Sequence, residues 1–248
     1  RMLGHADLLY GAKHLFCLST HVEQILRSQG LGAKGQGLTR LWHPLLGIVS
    51  GVPAVQPTVR PKILYFGRLL PYKGLDLLAD ALKILGEART FELRVCGSGP
   101  NGPALDLIAA MPGGGITVER RWFAEEELPS LLAWSDALVL PYREASQSGV
   151  AALALEAGRC ILATRVGGLP EQLEGQPGVI FCAPNAPALA QGLQDLTRSL
   201  SISSPACVPT PDWNMMAAAI ISAVGGEVDD GADRYARGSD DPFVAKQG

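Results

Sequence analysis

Between residues 62 and 200 the chain repeats one pattern: a short apolar run, a turn carrying glycine, then a longer stretch with apolar residues at helical spacing. The runs are Ile63–Phe66, Phe91–Cys96, Ile116–Glu119, Ala137–Leu140, Cys160–Ala163 and Val179–Cys182. They are apolar on both faces, as strands of a parallel sheet covered by helices must be. Leu75, Leu78, Ala79, Leu82 and Leu85 form one helical stripe and Leu128, Leu131 and Leu132 another, with a further helix expected over about 186–199. This alternation predicts an α/β fold: a Rossmann-like, doubly wound parallel sheet.

Length and composition bound the rest. At 248 residues and 47% hydrophobic content, the chain can hold one complete domain plus extra pieces, since domains run at roughly 100–200 residues. A net charge of −3 with 18% charged residues gives no broad basic field, so no nucleic-acid partner is expected. Any affinity for phosphate must be local. Of the five cysteines, Cys17, Cys96, Cys160 and Cys182 sit in apolar runs without metal-ligand spacing, which predicts buried thiols and a reducing, cytoplasmic setting. No metal site is expected, and no run reaches the ~20 apolar residues that span a bilayer. The four histidines (His5, His14, His21, His43) precede the regular pattern and read as structural.

Along the chain, residues 14–19 read as a short buried strand. Residues 20–29 read as a helix capped by Ser19 or Thr20, with Glu23 placed for a capping box. The expected division is 1–30, one βα unit left from a preceding domain; 31–60, a Gly- and Pro-rich linker; 61–200, the main domain; 201–224, a C-terminal helix; and 225–248, a disordered acidic tail. The chain starts at Arg1 in mid-pattern, which reads as part of a longer protein.

Four turns carry chemistry. In Gly67-Arg68-Leu69-Leu70-Pro71-Tyr72-Lys73-Gly74, two cations stand at a strand-to-helix turn, where positive charge is unfavourable unless an anion intervenes. A bound diphosphate removes that conflict. In Gly97-Ser98-Gly99-Pro100, the glycines let backbone approach a ligand or a neighbouring loop. Gln147-Ser148-Gly149-Val150 opens an apolar helix whose first N–H groups can hold phosphate or a sugar hydroxyl, with Gln147 and Ser148 as side-chain donors. Ala163-Thr164-Arg165-Val166-Gly167-Gly168-Leu169-Pro170-Glu171 ends a strand, turns, and opens a helix with an acid. Each alone also reads as an ordinary capped turn.

Taken in this order, from about Leu64 to Leu196, the motifs resemble the donor-binding half of retaining glycosyltransferases of family 4, which share the two-domain GT-B fold. The resemblance implies that Arg68 and Lys73 hold the diphosphate of a nucleotide-activated sugar and carry the chemistry. It implies that Gly67, the Gly97-Ser98-Gly99 turn and Arg121, in the segment after Val118, cradle the nucleotide, and that Gln147, Ser148, Gly149 and Val150 face phosphate and sugar. Many members carry two glutamates around that helix start. The corresponding places here hold Ala145 and Leu153, with Glu144 and Glu156 nearby, and the Gln147-Ser148-Gly149 version resembles a bacterial variant.

The implied activity is transfer of a sugar from a nucleotide diphosphate sugar to an acceptor with retention, this chain supplying the donor half without cofactor or metal. A glycan or lipid-linked glycan is the implied acceptor, with peripheral membrane contact through the other domain. The alternatives are a non-catalytic nucleotide-sugar-binding module and a related GT-B nucleotide-sugar epimerase.

Overall fold

A computed structural model describes residues 6–33, 35–49, 51–87, 89–100, 102–201 and 213–225. The expected tail beyond Gly225 and Cys207 lie outside the described residues. The first piece is α1 (Ala6–Gly11), β1 (His14–Cys17), α2 (Thr20–Ser28) and β2 (Gly37–Arg40). β2 pairs parallel with β1, so the expected βα unit is a βαβ unit. The four-residue β2 falls inside the stretch read as linker, because its Gly-Leu-Thr-Arg sequence has neither length nor alternation to announce a strand. His14 belongs to this pair, hydrogen-bonding Thr39 Oγ1 at 2.8 Å and stacking on Phe16.

Ser19 caps α2, its hydroxyl accepting from the Val22 N–H. With Ser19 as the cap, Glu23 stands one residue too far along for a capping box. It takes Arg27 as its partner instead, at 2.8 Å.

The main sheet contains β3 (Lys62–Phe66), β4 (Glu92–Gly97), β5 (Ile116–Arg120), β6 (Ala137–Leu140), β7 (Cys160–Thr164) and β8 (Val179–Cys182). All pairings are parallel and the spatial order is β5-β4-β3-β6-β7-β8. Counted from β3, this is the order 3-2-1-4-5-6 of a Rossmann sheet. The connecting helices are α3 (Leu75–Leu85), α4 (Pro103–Ala109), α5 (Leu128–Trp134), α6 (Gly149–Glu156), α7 (Leu169–Leu173) and α8 (Ala186–Leu200). The last described helix, α9 (Trp213–Ala223), buries none of its side chains.

Both faces of the sheet are covered, which is why every residue of β6 and β7 is buried. On β3, Ile63 and Tyr65 enter one core with Leu78, Leu82, Leu193 and Leu196, whereas Leu64 enters the other with Leu132, Leu140 and Ile161. Period-two alternation therefore splits each apolar run between two cores. Cys96 and Cys160 are buried free thiols, and burial pushes both up to about 11. No described helix is long and apolar enough to cross a membrane.

Two polar anchors tie the stretch before β3 to the sheet. Glu156, at the end of α6, accepts the N–H groups of Leu46, Gly47 and Val49 at 3.1, 3.0 and 2.6 Å. Its carboxylate is thereby engaged by backbone. Buried Arg159 donates to the carbonyls of Ala157, Ser135 and Pro53. Replacing Glu156 with Ala strips three amides of their acceptor and is expected to lower unfolding free energy by about 2–3 kcal/mol. Urea denaturation measures the loss.

Candidate functional site

From β3 the chain winds outward through β4 and β5, then returns to place β6 on the other side of β3. Loops leaving the C-terminal ends of β3 and β6 thus depart in opposite directions, and this is where Rossmann sheets open a crevice. Here the loops are Gly67–Gly74 and Pro141–Ser148. They touch through Gly74, which has φ +68 and whose Cβ, if present, would stand 1.7 Å from the Pro141 carbonyl oxygen. A side chain there would push the loops apart. The Arg143 N–H donates to the Tyr72 carbonyl at 2.8 Å, and the Arg143 guanidinium pairs with Asp76 in the first turn of α3.

The two cations singled out from sequence meet at this junction. Pro71–Lys73 is a single 3-10 turn that swings Lys73 across to the β6 loop. There its ammonium sits 3.8 Å from the centroid of the Tyr142 ring and 5.3 Å from that of Tyr72. The Arg68 guanidinium donates to the Tyr72 hydroxyl at 3.2 Å. Burial, reinforced by the nearby Arg68 charge, pulls Lys73 down to about 8. Among the described residues neither cation has a carboxylate partner. Other arginines on neighbouring loops do: Arg143 with Asp76 and Arg121 with Glu127. Of the cations on the two touching loops, Arg68 and Lys73 are thus the ones without a carboxylate partner.

The tip of α6 lies opposite. A Cβ on Gly67 would come within 3.5 Å of Val150 Cγ2, so the β3 turn and the helix start face each other directly. Ser148, only 2% exposed, caps the helix by accepting from the Ala151 N–H at 3.2 Å. Its own N–H is taken by Gln172 Oε1 at 2.8 Å, and its carbonyl accepts from Gln172 Nε2 at 2.9 Å. The expected side-chain donor is thus enclosed in the protein. Gly149 and Val150 keep first-turn N–H groups without a partner among the described residues, and the space above Gly149 is open. Gln147 is half-buried beside them.

The second glycine turn serves the neighbouring loop. A Cβ on Gly97 would stand 1.8 Å from the Gly67 carbonyl oxygen, and the Leu69 N–H donates to the Ser98 carbonyl at 2.8 Å. Of the two uses open to Gly97, Ser98 and Gly99, the structure displays the packing one, which sets where Arg68 begins. Arg121 is held by Glu127 at 2.7 Å and lies flat on Phe123. That fork pulls Glu127 down to about 2. Arg121 so carries little free charge, and the exposed aromatic it flanks is Trp122, at 76%.

Two features of the site had no local sequence signal. Gln172 reaches Ser148 from 24 residues away, across the β7 crossover. Glu171 is the first-turn acid of α7 that the sequence predicts, and it also accepts the Thr20 N–H at 2.6 Å and pairs with Arg40 at 3.2 Å. It thereby docks the first βαβ unit beside the loop that carries Ala145 and Ser146.

An anion bound here favours the protonated Lys73. Because the free side chain sits at about 8, the ammonium is charged below that pH and lost above it. With the ligand's own ionisation subtracted, pyrophosphate affinity is expected to be level well below pH 8 and to fall by up to about tenfold per unit above 8.5. Calorimetric titration across that range reads the slope, and Lys73→Arg is expected to remove it.

Comparison with known proteins agrees with this geometry. The model of the family of glycosyl transferases group 1 matches residues 60–199. A GDP-mannose-dependent alpha-(1-6)-phosphatidylinositol monomannoside mannosyltransferase of Mycolicibacterium smegmatis is 31% identical over 147 residues, covering 55% of this chain and 38% of that protein. An MMP alpha-(1->4)-mannosyltransferase of Mycolicibacterium hassiacum is 35% identical over 103 residues, covering 41% of this chain and 25% of that protein. The chain thus spans well under half the length of these relatives. In fold it is similar to the catalytic domain of starch synthase IV from Arabidopsis thaliana, with TM-score 0.66 and 13% identity over 85% of this chain and 55% of that one. Sucrose-phosphate synthase from Thermosynechococcus elongatus gives TM-score 0.62 and 18% identity over 88% of this chain and 59% of that one. With a strand order, a switch-point crevice and a family match that coincide over the same residues, the chain belongs to the group 1 glycosyl transferases and carries their GT-B, Rossmann-like architecture.

Proposed function

We propose that the protein transfers a sugar from a nucleotide diphosphate sugar to an acceptor with retention at the anomeric carbon, as family 4 enzymes do, and that this chain supplies the donor-binding half. The observation that carries the reading is the convergence of two unneutralised cations, Arg68 and Lys73, with the open amides of Gly149 and Val150 at one switch point.

Breaking the bond between the anomeric carbon and the donor phosphate leaves negative charge on the departing diphosphate. Fixed cations and amides around that charge stabilise it as it develops and need no reorganisation when it appears. Arg68 has the planar fork suited to two phosphate oxygens, and Lys73 acts as a point charge. In this proposal they do without a metal ion. Gln147 reaches the sugar, and the segment after Val118 lies two strands from β3, about 10 Å away, where the base of a nucleoside diphosphate extends.

The relatives support a choice of ligand. GDP-mannose appears in the names of the Mycolicibacterium smegmatis enzyme and of a GDP-mannose:glycolipid 4-beta-D-mannosyltransferase of Xanthomonas campestris, 30% identical over 109 residues. GDP-mannose is therefore the donor to test first, and a lipid-linked glycan the first acceptor.

In the intact protein, Arg68→Ala and Lys73→Ala are each expected to lower kcat/KM for transfer by about 100-fold, a loss of ~2.7 kcal/mol of transition-state stabilisation. Unfolding midpoints should stay near that of the parent. Unchanged kinetics in both variants sinks the assignment, and an inverted product by NMR sinks retention.

A further inference from the structure

Lys73 is held in an unusual way for a buried-edge cation. A lysine drawn into a protein is ordinarily balanced by a carboxylate, which cancels its field. Here the ammonium rests against two aromatic faces, Tyr142 at 3.8 Å and Tyr72 at 5.3 Å, and the nearby acid Asp76 is engaged by Arg143. A π face attracts the cation without neutralising it, so the charge stays available to an incoming anion.

Tyr142 does more than supply a face. It is 1% exposed, its carbonyl accepts from the Thr164 hydroxyl at 2.6 Å, and its own hydroxyl lies 3.2 Å from Ser148 Oγ, the cap of α6. One rigid side chain thus touches both halves of the crevice. Its ring bears the cation of the β3 loop and its hydroxyl bears the helix tip of the β6 loop. The hydroxyl contact lies within the β6 loop, whereas the ring contact joins that loop to Lys73, 69 residues earlier in the chain.

We propose that Tyr142 is a positioning residue: its ring seats the Lys73 ammonium and its hydroxyl holds the Ser148 cap, keeping cation and open amides at a fixed separation suited to one diphosphate. This rests on the donor-site reading above. The groups facing Lys73 are Arg68 and Tyr72 from its own loop and Tyr142 from the β6 loop.

The two contacts separate by substitution. Tyr142→Phe keeps the ring and removes the hydroxyl, whereas Tyr142→Leu removes both and stays apolar. The first measurement is the titration of the Lys73 side chain by NMR in the ligand-free chain, assigned with Lys73→Arg; the second is calorimetric affinity for GDP at pH 7. Tyr142→Phe is expected to leave the Lys73 midpoint in place and weaken GDP about threefold, the size of one hydrogen bond. Tyr142→Leu is expected to lower the midpoint by about half a pH unit and weaken GDP about tenfold, as loss of a cation–π contact requires.

A Lys73 midpoint unmoved in a folded Tyr142→Leu overturns the seating role, and wild-type GDP affinity in Tyr142→Phe overturns the capping role. Should Tyr142→Leu not fold, Tyr142→Met removes the same ring with a side chain of closer volume: an unmoved midpoint there is again fatal. If the parent chain binds neither GDP nor UDP nor ADP, the donor-site reading fails by itself, while the NMR titration still decides whether Tyr142 seats Lys73.

Discussion

The site depends on contact between loops that a side chain would forbid. Gly74 lies against the Pro141 carbonyl and Gly97 against that of Gly67, each closer than any Cβ allows. These contacts draw the ends of β4, β3 and β6 into one rim. Backbone-on-backbone packing is stiff, because no rotamer can relax it, and it transfers the regularity of the sheet to the loops above it. Asp76 with Arg143, and Arg143 N–H with Tyr72, then fix the loop carrying Lys73 in place.

Electrostatics follow from that frame. The chain has slight negative charge overall, yet Arg68 and Lys73 stand at the switch point without a carboxylate partner among the described residues, while several carboxylates are committed to other groups. Glu127 holds Arg121, Glu119 holds Arg94, Asp76 holds Arg143, and Glu156 holds three backbone amides. Arg68 and Lys73 are left with aromatic partners, at 3.2 Å from a hydroxyl and 3.8 Å from a ring. In the proposed donor site, preference for anions comes from this subtraction, and burial with the nearby Arg68 charge costs Lys73 part of its basicity.

The fold was legible because parallel strands buried on both faces have no choice but to be continuously apolar, and all six runs named from sequence are strands of the sheet. The short, part-buried β2 has no such signature, and it needed β1 as a template to exist. At the site, the pairing of Arg68 with Lys73 and the tip at Gly149 were readable, since glycine turns after strands of one parallel sheet must share an edge. What each group does with its hydrogen bonds was not. Ser148 read as a ligand donor but is enclosed, and Glu171, a helix-start acid as read, also grips Thr20, 151 residues away.

Period, turn chemistry and burial pattern are local properties, so the sequence by itself determined the α/β class, the strands and the sheet edge on which the glycine turns gather. Which charges remain unpaired there was decided only by tertiary structure. Pairing is a contest among all groups that folding brings within a few ångströms, and the partners of Lys73, Arg121, Ser148 and Glu156 come from other elements of the chain.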